Sequence, residues 1–225
     1  IQDGPIKKKT IELINKYKDD YPSLIKILVL PKKGLPYALN ESIKLADTQY
    51  YARMDADDIS FKNRLELQIN FLEENKDIDI LGSWAIEFEF NSNEKKRFIN
   101  KRPSNIKKIN EYFHYMNPLI HPTVVFRTEV FNKMGMYNLK FYTDQDLELW
   151  SRALKNNINI SNIQQPLLYL RVEGRQDRRS HLGAIKRQII ARYSYNTFSL
   201  KLNILKILAI IFRVLPKTIR EWAYK

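Results

Sequence analysis

Tyr50-Tyr51-Ala52-Arg53-Met54-Asp55-Ala56-Asp57-Asp58-Ile59-Ser60 decides the reading of this chain. A short apolar run stops abruptly in three carboxylates within four residues. Like charges that close repel and raise one another's pKa, so the cluster is tolerated where the acids reach water or share a cation. Hard divalent ions favour carboxylate oxygen, take one or two protein carboxylates and complete their shell with substrate phosphates. An Asp-x-Asp at the carboxyl end of a strand is therefore a candidate Mg²⁺ or Mn²⁺–diphosphate site, placed where open α/β sheets bind ligands. The other reading of the spacing alone is a solvated acidic turn that caps a helix starting near Phe61.

The flanks supply alternating strands and helices. Upstream, Pro5 suits the first position of a helix reaching about Asp20. Residues 25–30 are rich in β-branched types and read as a strand, and Pro36 opens a helix through about Ala46. That alternation predicts a parallel α/β sheet. Downstream, residues 64–75 form a patterned helix with Leu65, Ile69 and Leu72 on one face, widened by Leu67 and Phe71. Residues 78–81 and 85–90 read as two strands, followed by a polar, basic excursion over 91–105. A short helix over 105–115 and a strand over 123–126 come next. Thr128 is placed to cap a helix over 129–134 that Gly135 ends. Residues 144–156 are helical, 158–163 and 167–171 are short strands, and 180–197 and 200–215 are helices.

The chain has 225 residues, enough for one sizeable core and a C-terminal appendage. It has no cysteine, which excludes disulfides, thiolate catalysis and Cys-ligated zinc, and fits a reducing compartment. Three histidines leave little room for a His-rich metal site, and no apolar N-terminal run of a signal peptide is visible. The net charge is +13, of which residues 175–225 supply +10 with 12 Lys and Arg against two acids. A basic tail faces nucleic acid or anionic lipid. Aromatics are not interleaved with the basic run as a base-stacking platform requires, so nucleic acid is set aside.

Three further stretches carry candidate chemistry. Asp144-Gln145-Asp146-Leu147-Glu148 heads a helix containing Trp150 and Arg152. Its acids are either N-terminal caps favoured by the helix dipole or a general base for an attacking hydroxyl. Asn117-Pro118-Leu119-Ile120-His121-Pro122-Thr123 holds a histidine rigidly before a strand, as a structural group or hydrogen-bond donor. Tyr169-Leu170-Arg171 ends a strand with an arginine, either a diphosphate grip or a surface ion-pair residue.

In order, the chain reads Asp3-Gly4, Gly34-Leu35-x-x-Ala38-Leu39-Asn40, Ala52-Arg53-Met54-Asp55-Ala56-Asp57-Asp58 and Arg64-Leu65-Glu66-x-Gln68. His121-Pro122-Thr123 with Phe126-Arg127, Gly135-x-Tyr137, Gln145-Asp146-x-x-Leu149-Trp150-x-Arg152 and Tyr169-x-Arg171 follow. No one of these motifs is specific, but their order over residues 1–175 resembles the family 2 glycosyltransferases of GT-A fold.

The resemblance implies a Rossmann-like mixed sheet with flanking helices and an inverting, metal-dependent transfer of a sugar from a nucleotide diphosphate, usually UDP. It puts Asp3 beside the nucleotide base, Asp55 near the ribose and diphosphate, and Asp57 on a Mg²⁺ or Mn²⁺ ion supported by Asp55 and Asp58. Asn40 and Arg171 join the donor site and Asp146 is the catalytic base. His121, Gln145 and Trp150 are assigned to the acceptor side or to structural support. The family often has Glu where this chain has Gln145, and an acid where it has Gln2. Members also begin with a strand, a Pro-x-Tyr-Asn-like turn and a helix that this chain does not show, about 30 residues in all.

Residues 1–175 are accordingly expected to be a GT-A catalytic domain lacking its first strand and helix. Residues 176–225 are expected to be a basic helical extension. Residues 200–215 are too short and too charged to span a bilayer, and fit an amphipathic helix in the interface, with Trp222 and Tyr224 as anchors. The expected partners are a nucleotide-sugar donor, a glycan or lipid-linked acceptor and an anionic membrane surface, at the cytoplasmic face of the cell membrane. The alternative is an inactive remnant that only binds partners or membrane.

Overall fold

The computed structural model describes residues 1–89, 98–172 and 182–215. β1 (Gln2–Asp3), α1 (Lys8–Asp20) and β2 (Val29–Leu30) form a small unit whose two strands pair in parallel. α2 (Leu35–Lys44), β3 (Tyr50–Ala52), β4 (Ile59–Ser60), α3 (Arg64–Glu74), β5 (Ile80–Phe88) and β6 (Phe98–Asn100) follow. Next come α4 (Ile106–Phe113), a 3₁₀ turn (His121–Thr123), β7 (Val125–Arg127), α5 (Val130–Met134) and α6 (Gln145–Lys155). β8 (Ile160–Arg171), α7 (Leu182–Ser194) and α8 (Leu200–Val214) complete the order.

The main sheet runs β3-β7-β5-β8-β4, with β6 pairing on β5. Within it only β5 and β8 are parallel; the other pairs are antiparallel. The sheet is thus mixed, as the family resemblance implies, and not the parallel one that strand–helix alternation alone suggests. Strand–helix alternation fixes direction only for strands adjacent in sequence, and these sheet neighbours mostly are not.

Two pairs of predicted strands are single strands. Residues 78–81 and 85–90 fuse into β5, and 158–163 and 167–171 into β8; Phe90 lies outside the described residues. The register between them jumps from Ser83↔Ile163 to Trp84↔Pro166. The bulge accommodates Pro166, which has no N–H to give the ladder. Residues 25–28 stay out of β2. β6 closes part of the expected excursion by pairing with β5; the rest of it, up to residue 97, lies outside the described residues.

Side-chain burial also corrects the predicted face of α3. Arg64, Gln68 and Leu72 point inward while Leu65 is half exposed. The polar pair is buried because it is bonded. Arg64 donates to the Arg53 carbonyl at 2.8 Å and to Gln68 at 2.9 Å, and Gln68 donates to the Leu81 and Thr123 carbonyls. Buried polar groups need such partners. Thr128 makes no side-chain cap of α5, and its hydroxyl is buried without a partner among the described residues. Gly135 ends α5 at φ 75°, a left-handed position that favours glycine.

One large core lies between the sheet and α4, α5 and α6, with Trp150, Phe126, Phe113 and Leu149 fully buried. Trp150 stacks on Phe126 at 5.9 Å. Gly82 allows the close approach of β5 to the Pro118 loop: a Cβ there would lie 2.3 Å from Asn162 Oδ1 and 2.9 Å from Leu119.

The boundary expected at residue 175 is crossed by core contacts. Ala191 of α7 belongs to the main core, and Arg192 reaches the Phe113 carbonyl. α8 turns apolar side chains outward and a cation inward. Its one fully buried side chain is Lys206, whose Nζ donates to the Arg192 and Tyr195 carbonyls at 3.1 and 3.2 Å at the end of α7. A cation is favoured at a helix C-terminus, where carbonyls lack partners. Ile204, Ile207, Leu208 and Ile211, at helical spacing, are about half exposed. Trp222 and Tyr224 lie outside the described residues.

Candidate active site

β3 delivers the acidic stretch to the sheet's edge. The Arg53 amide continues the pairing by donating to the Val124 carbonyl at 2.9 Å, after which the chain turns, with Asp58 N bonded to the Asp55 carbonyl. β4 then catches the chain on β8. The turn gathers one carboxylate oxygen each from Asp55, Asp57 and Asp58 within 4.8 Å of one another.

The three acids differ in setting. Asp57 is exposed. Asp58 is buried; its Oδ1 accepts from the Arg171 amide at 2.9 Å, and its Oδ2 has no partner among the described residues. Burial pushes the Asp58 carboxyl up to about 6, opposed by the Arg171 amide and assisted by the Asp55 and Asp57 charges. Asp55 is also raised, first by burial; Arg53 opposes the shift, and the charges of Asp57 and Asp146 add to it. An orphaned buried carboxylate oxygen in a crowd of acids is what a divalent cation relieves, and these oxygens suit Mg²⁺ or Mn²⁺. The residues present therefore fit such an ion.

Arg53 was not singled out by the sequence, yet it occupies the middle of the site. It is 4% exposed and pairs with Asp55 through Nη2, while its Nε and Nη1 find no partner among the described residues. A buried guanidinium holds a carboxylate in a fixed geometry. Only its position beside Asp55 reveals it.

The second acid comes from α6. Asp146 stands in the first turn, and Asn117 Nδ2 donates to its Oδ2 at 2.5 Å. Asn117 Oδ1 accepts from the Leu119 amide, which fixes which end of the amide faces the carboxylate. Gln145 is buried as the first residue of the helix. Glu148 is not free for chemistry, since both its oxygens take N–H groups of Arg152, at 2.8 and 2.9 Å. Arg152 continues to the Met134 and Met136 carbonyls and so pins the Gly135 turn.

The remaining expected residues take other places. His121 is fully enclosed; its Nε2 meets Tyr137 Oη at 2.7 Å, and its ring lies edge-on to Trp150. Burial first, then Arg53, pushes His121 down to about 3, so it is neutral, and burial raises Tyr137. His121 and Trp150 thus pack against each other inside the core. The Asn40 amide exchanges two 2.8 Å hydrogen bonds with the backbone of Tyr137, which ties α2 to the segment after Gly135. Both oxygens of Asp3 accept backbone amides of Lys33 and Gly34, closing the loop beyond β2. Arg171 contributes its amide to Asp58, and its side chain is exposed. A cavity of about 380 Å³ between Asp47–Gln49 and Arg127–Glu129 lies at the far end of β3 and β7 from the acids.

The sequence model of Glycosyl transferase family 2 matches residues 1–135. A relative in Escherichia coli, UDP-Gal:alpha-D-GlcNAc-diphosphoundecaprenol beta-1,3-galactosyltransferase, is 33% identical, over all of this chain and 82% of that protein. An uncharacterised glycosyltransferase of Methanocaldococcus jannaschii is 32% identical, over 88% of this chain and 66% of that protein. Staphylococcus aureus TarS 1-349 in complex with UDP-GlcNAc superposes with a TM-score of 0.62 at 16% identity, over 94% of this chain and 65% of that one. GalNAc-T7 with UDP, GalNAc and Mn²⁺ gives 0.63 at 12%, over 92% and 47%. The fold is that of the GT-A glycosyltransferases. The chain belongs to glycosyl transferase family 2. It spans about two thirds of the M. jannaschii relative and less of several others.

Proposed function

We propose that this protein transfers a sugar, with inversion, from a nucleotide-diphosphate donor of UDP type to a hydroxyl of a cell-envelope glycan or lipid-linked acceptor. The observation that carries the reading is the turn that gathers the carboxylates of Asp55, Asp57 and Asp58 within 4.8 Å, with Asp146 at the head of α6 close enough for its charge to add to the raised Asp55 carboxyl. One acidic group is suited to a diphosphate's cation and the other to an acceptor's proton.

Asp57, Asp58 and Asp55 would hold the Mg²⁺ or Mn²⁺ ion, Arg53 keeping Asp55 in place. When bound, that ion supplies positive charge against the departing diphosphate. Asn117 donates to Oδ2 of Asp146 and so restricts the rotation of that carboxylate. Asp146 accepts the acceptor hydroxyl's proton as that hydroxyl's oxygen bonds the anomeric carbon and the bond to the diphosphate breaks. A single displacement inverts the carbon without a covalent intermediate, the logic of two-carboxylate inverting enzymes. The outward apolar stripe of α8, on a basic tail, supports seating at an anionic membrane where a lipid-linked acceptor is met. Among the described residues no helix is long and apolar enough to cross a membrane.

The test is UDP release from a panel of sugar nucleotides with and without Mn²⁺, alongside calorimetry with UDP and Mn²⁺. Asp57→Ala is expected to lose metal-dependent UDP binding. Asp146→Asn is expected to keep binding and lose turnover. Full turnover by Asp146→Asn would overturn the assignment.

A further inference from the structure

The head of α6 is held from outside the acidic site. Asp144, its N-cap, sits at φ 57° and its side chain makes no capping bond to the helix. A non-glycine residue in that left-handed region is strained and persists where its surroundings hold it. The holding groups come from the C-terminal helices. Arg213 of α8 donates to Asp144 Oδ1 at 3.3 Å, with the two side chains only 20% and 10% exposed. Asp144 Oδ2 is buried without another partner among the described residues. Arg187 of α7 directs Nε and Nη2 at Thr143 Oγ1, at 3.1 and 2.9 Å. Ser194 of α7 bonds Ser151 on the body of α6 at 2.7 Å. Asp146 lies two residues beyond Asp144, in the turn these contacts fix.

We propose that Arg213 and Arg187 are positioning residues for the transfer, latching the Thr143–Asp144 turn so that the first turn of α6 presents Asp146 to the acceptor. The tail thereby belongs to the catalytic machinery, not only to a surface attachment. α7 packs on α6 through its buried side, and α8 packs on α7 through Lys206 and reaches α6 through Arg213. The role rests on Asp146 being the base.

Two readouts separate the latch from that premise. Amide exchange over residues 145–148 is followed in the wild type, Arg213→Ala, Arg213→Lys and Arg187→Ala, with a thermal melt to confirm folding. Turnover and UDP–Mn²⁺ affinity are measured on the full-length protein. The latch predicts roughly tenfold faster exchange in the first turn of α6 for both Ala variants. It also predicts a kcat lower by about 10- to 100-fold at unchanged donor affinity, because a small misplacement of a reacting group has that effect. Arg213→Lys keeps the charge and restores most of both. Unchanged exchange in well-folded Arg213→Ala overturns the latch. Faster exchange at unchanged kcat overturns the positioning role, whereas full turnover by Asp146→Asn overturns Asp146 as the base and leaves the contacts on the Thr143–Asp144 turn as they are.

Discussion

Nδ2 of Asn117 donates to Oδ2 of Asp146 across 2.5 Å and joins the loop after α4 to the first turn of α6. The Leu119 amide fixes the orientation of that side chain, so an N–H, not the carbonyl oxygen, faces the acid. A donor to a carboxylate favours its charged form and restricts its rotation. Asn117→Ala is expected to lower kcat by about tenfold with little change in donor KM, in line with loss of one orienting bond to a general base. The acid limb of the pH–rate profile moves to higher pH, and moves further in Asn117→Asp. A limb that stays in place in both variants would separate Asn117 from the chemistry.

Asp58 carries a burial penalty in the metal-free protein. Its carboxyl is held at about 6, above its ordinary value of 3.8, so the native state binds the extra proton between those values. Stability therefore falls as pH rises through that window, and the full penalty remains at pH 7. Asp58→Asn keeps an acceptor for the Arg171 amide while removing the charge. It is expected to stabilise the metal-free protein by about 2 kcal/mol at pH 7 and by almost nothing at pH 4, read by urea unfolding. Mn²⁺ should raise the melting temperature of the wild type and not of the variant.

His121 acts in the opposite direction. It is held neutral, down to about 3 against an ordinary 6.5, by burial and by Arg53. The unfolded chain takes up the proton first, so stability is complete above 6.5 and is lost as pH falls below it. Roughly 2 kcal/mol should disappear between pH 7 and 5 through this group alone. His114, lowered to about 4 by burial and by Lys206 and Arg192, adds to the slope. His121→Gln is expected to lose stability at pH 7 and to flatten the slope; an unaltered slope would contradict the buried neutral imidazole.

The outward stripe of α8 gives a direct measurement. Ile204 and Leu208 lie one turn apart and about half exposed. Replacing both with Asp is expected to weaken sedimentation with anionic phosphatidylglycerol vesicles by at least about tenfold, since apolar burial and anionic attraction act together in interfacial helices. Equal sedimentation of wild type and variant would place the contact elsewhere.

Much of the site was legible because its acids sit at strand and helix ends, which the local pattern marks: Asp55, Asp57 and Asp58 after an apolar run, Asp146 at the head of a helix. The order of weak motifs carried the fold. The supporting groups were not legible. Asn117 and Arg213 act through partners 29 and 69 positions away, and nothing in their own neighbourhood distinguishes them from ordinary polar residues, while Arg53 is marked only by its place two residues before Asp55. The bond of Asn40 to the backbone of Tyr137, 97 positions on, is equally invisible in its local sequence. The face of α3 was misread because Arg64 and Gln68 are polar by type and buried by bonding. The continuity of β8 was missed because Pro166 normally ends a strand, and here a bulge absorbs it.

Lys206, sealed at the heart of the tail while isoleucines look outward, has a practical meaning for anyone preparing the protein. Trimming the greasy final helix to improve yield would strip Arg213 from the turn it grips and uncap α7 in the same cut. If Arg213 latches the turn as proposed, such a shortened sample is expected to turn over poorly. Its silence would say nothing about the donor offered. Swapping the outward isoleucines for polar residues, leaving Lys206 and Arg213 untouched, is the safer route to tractable material.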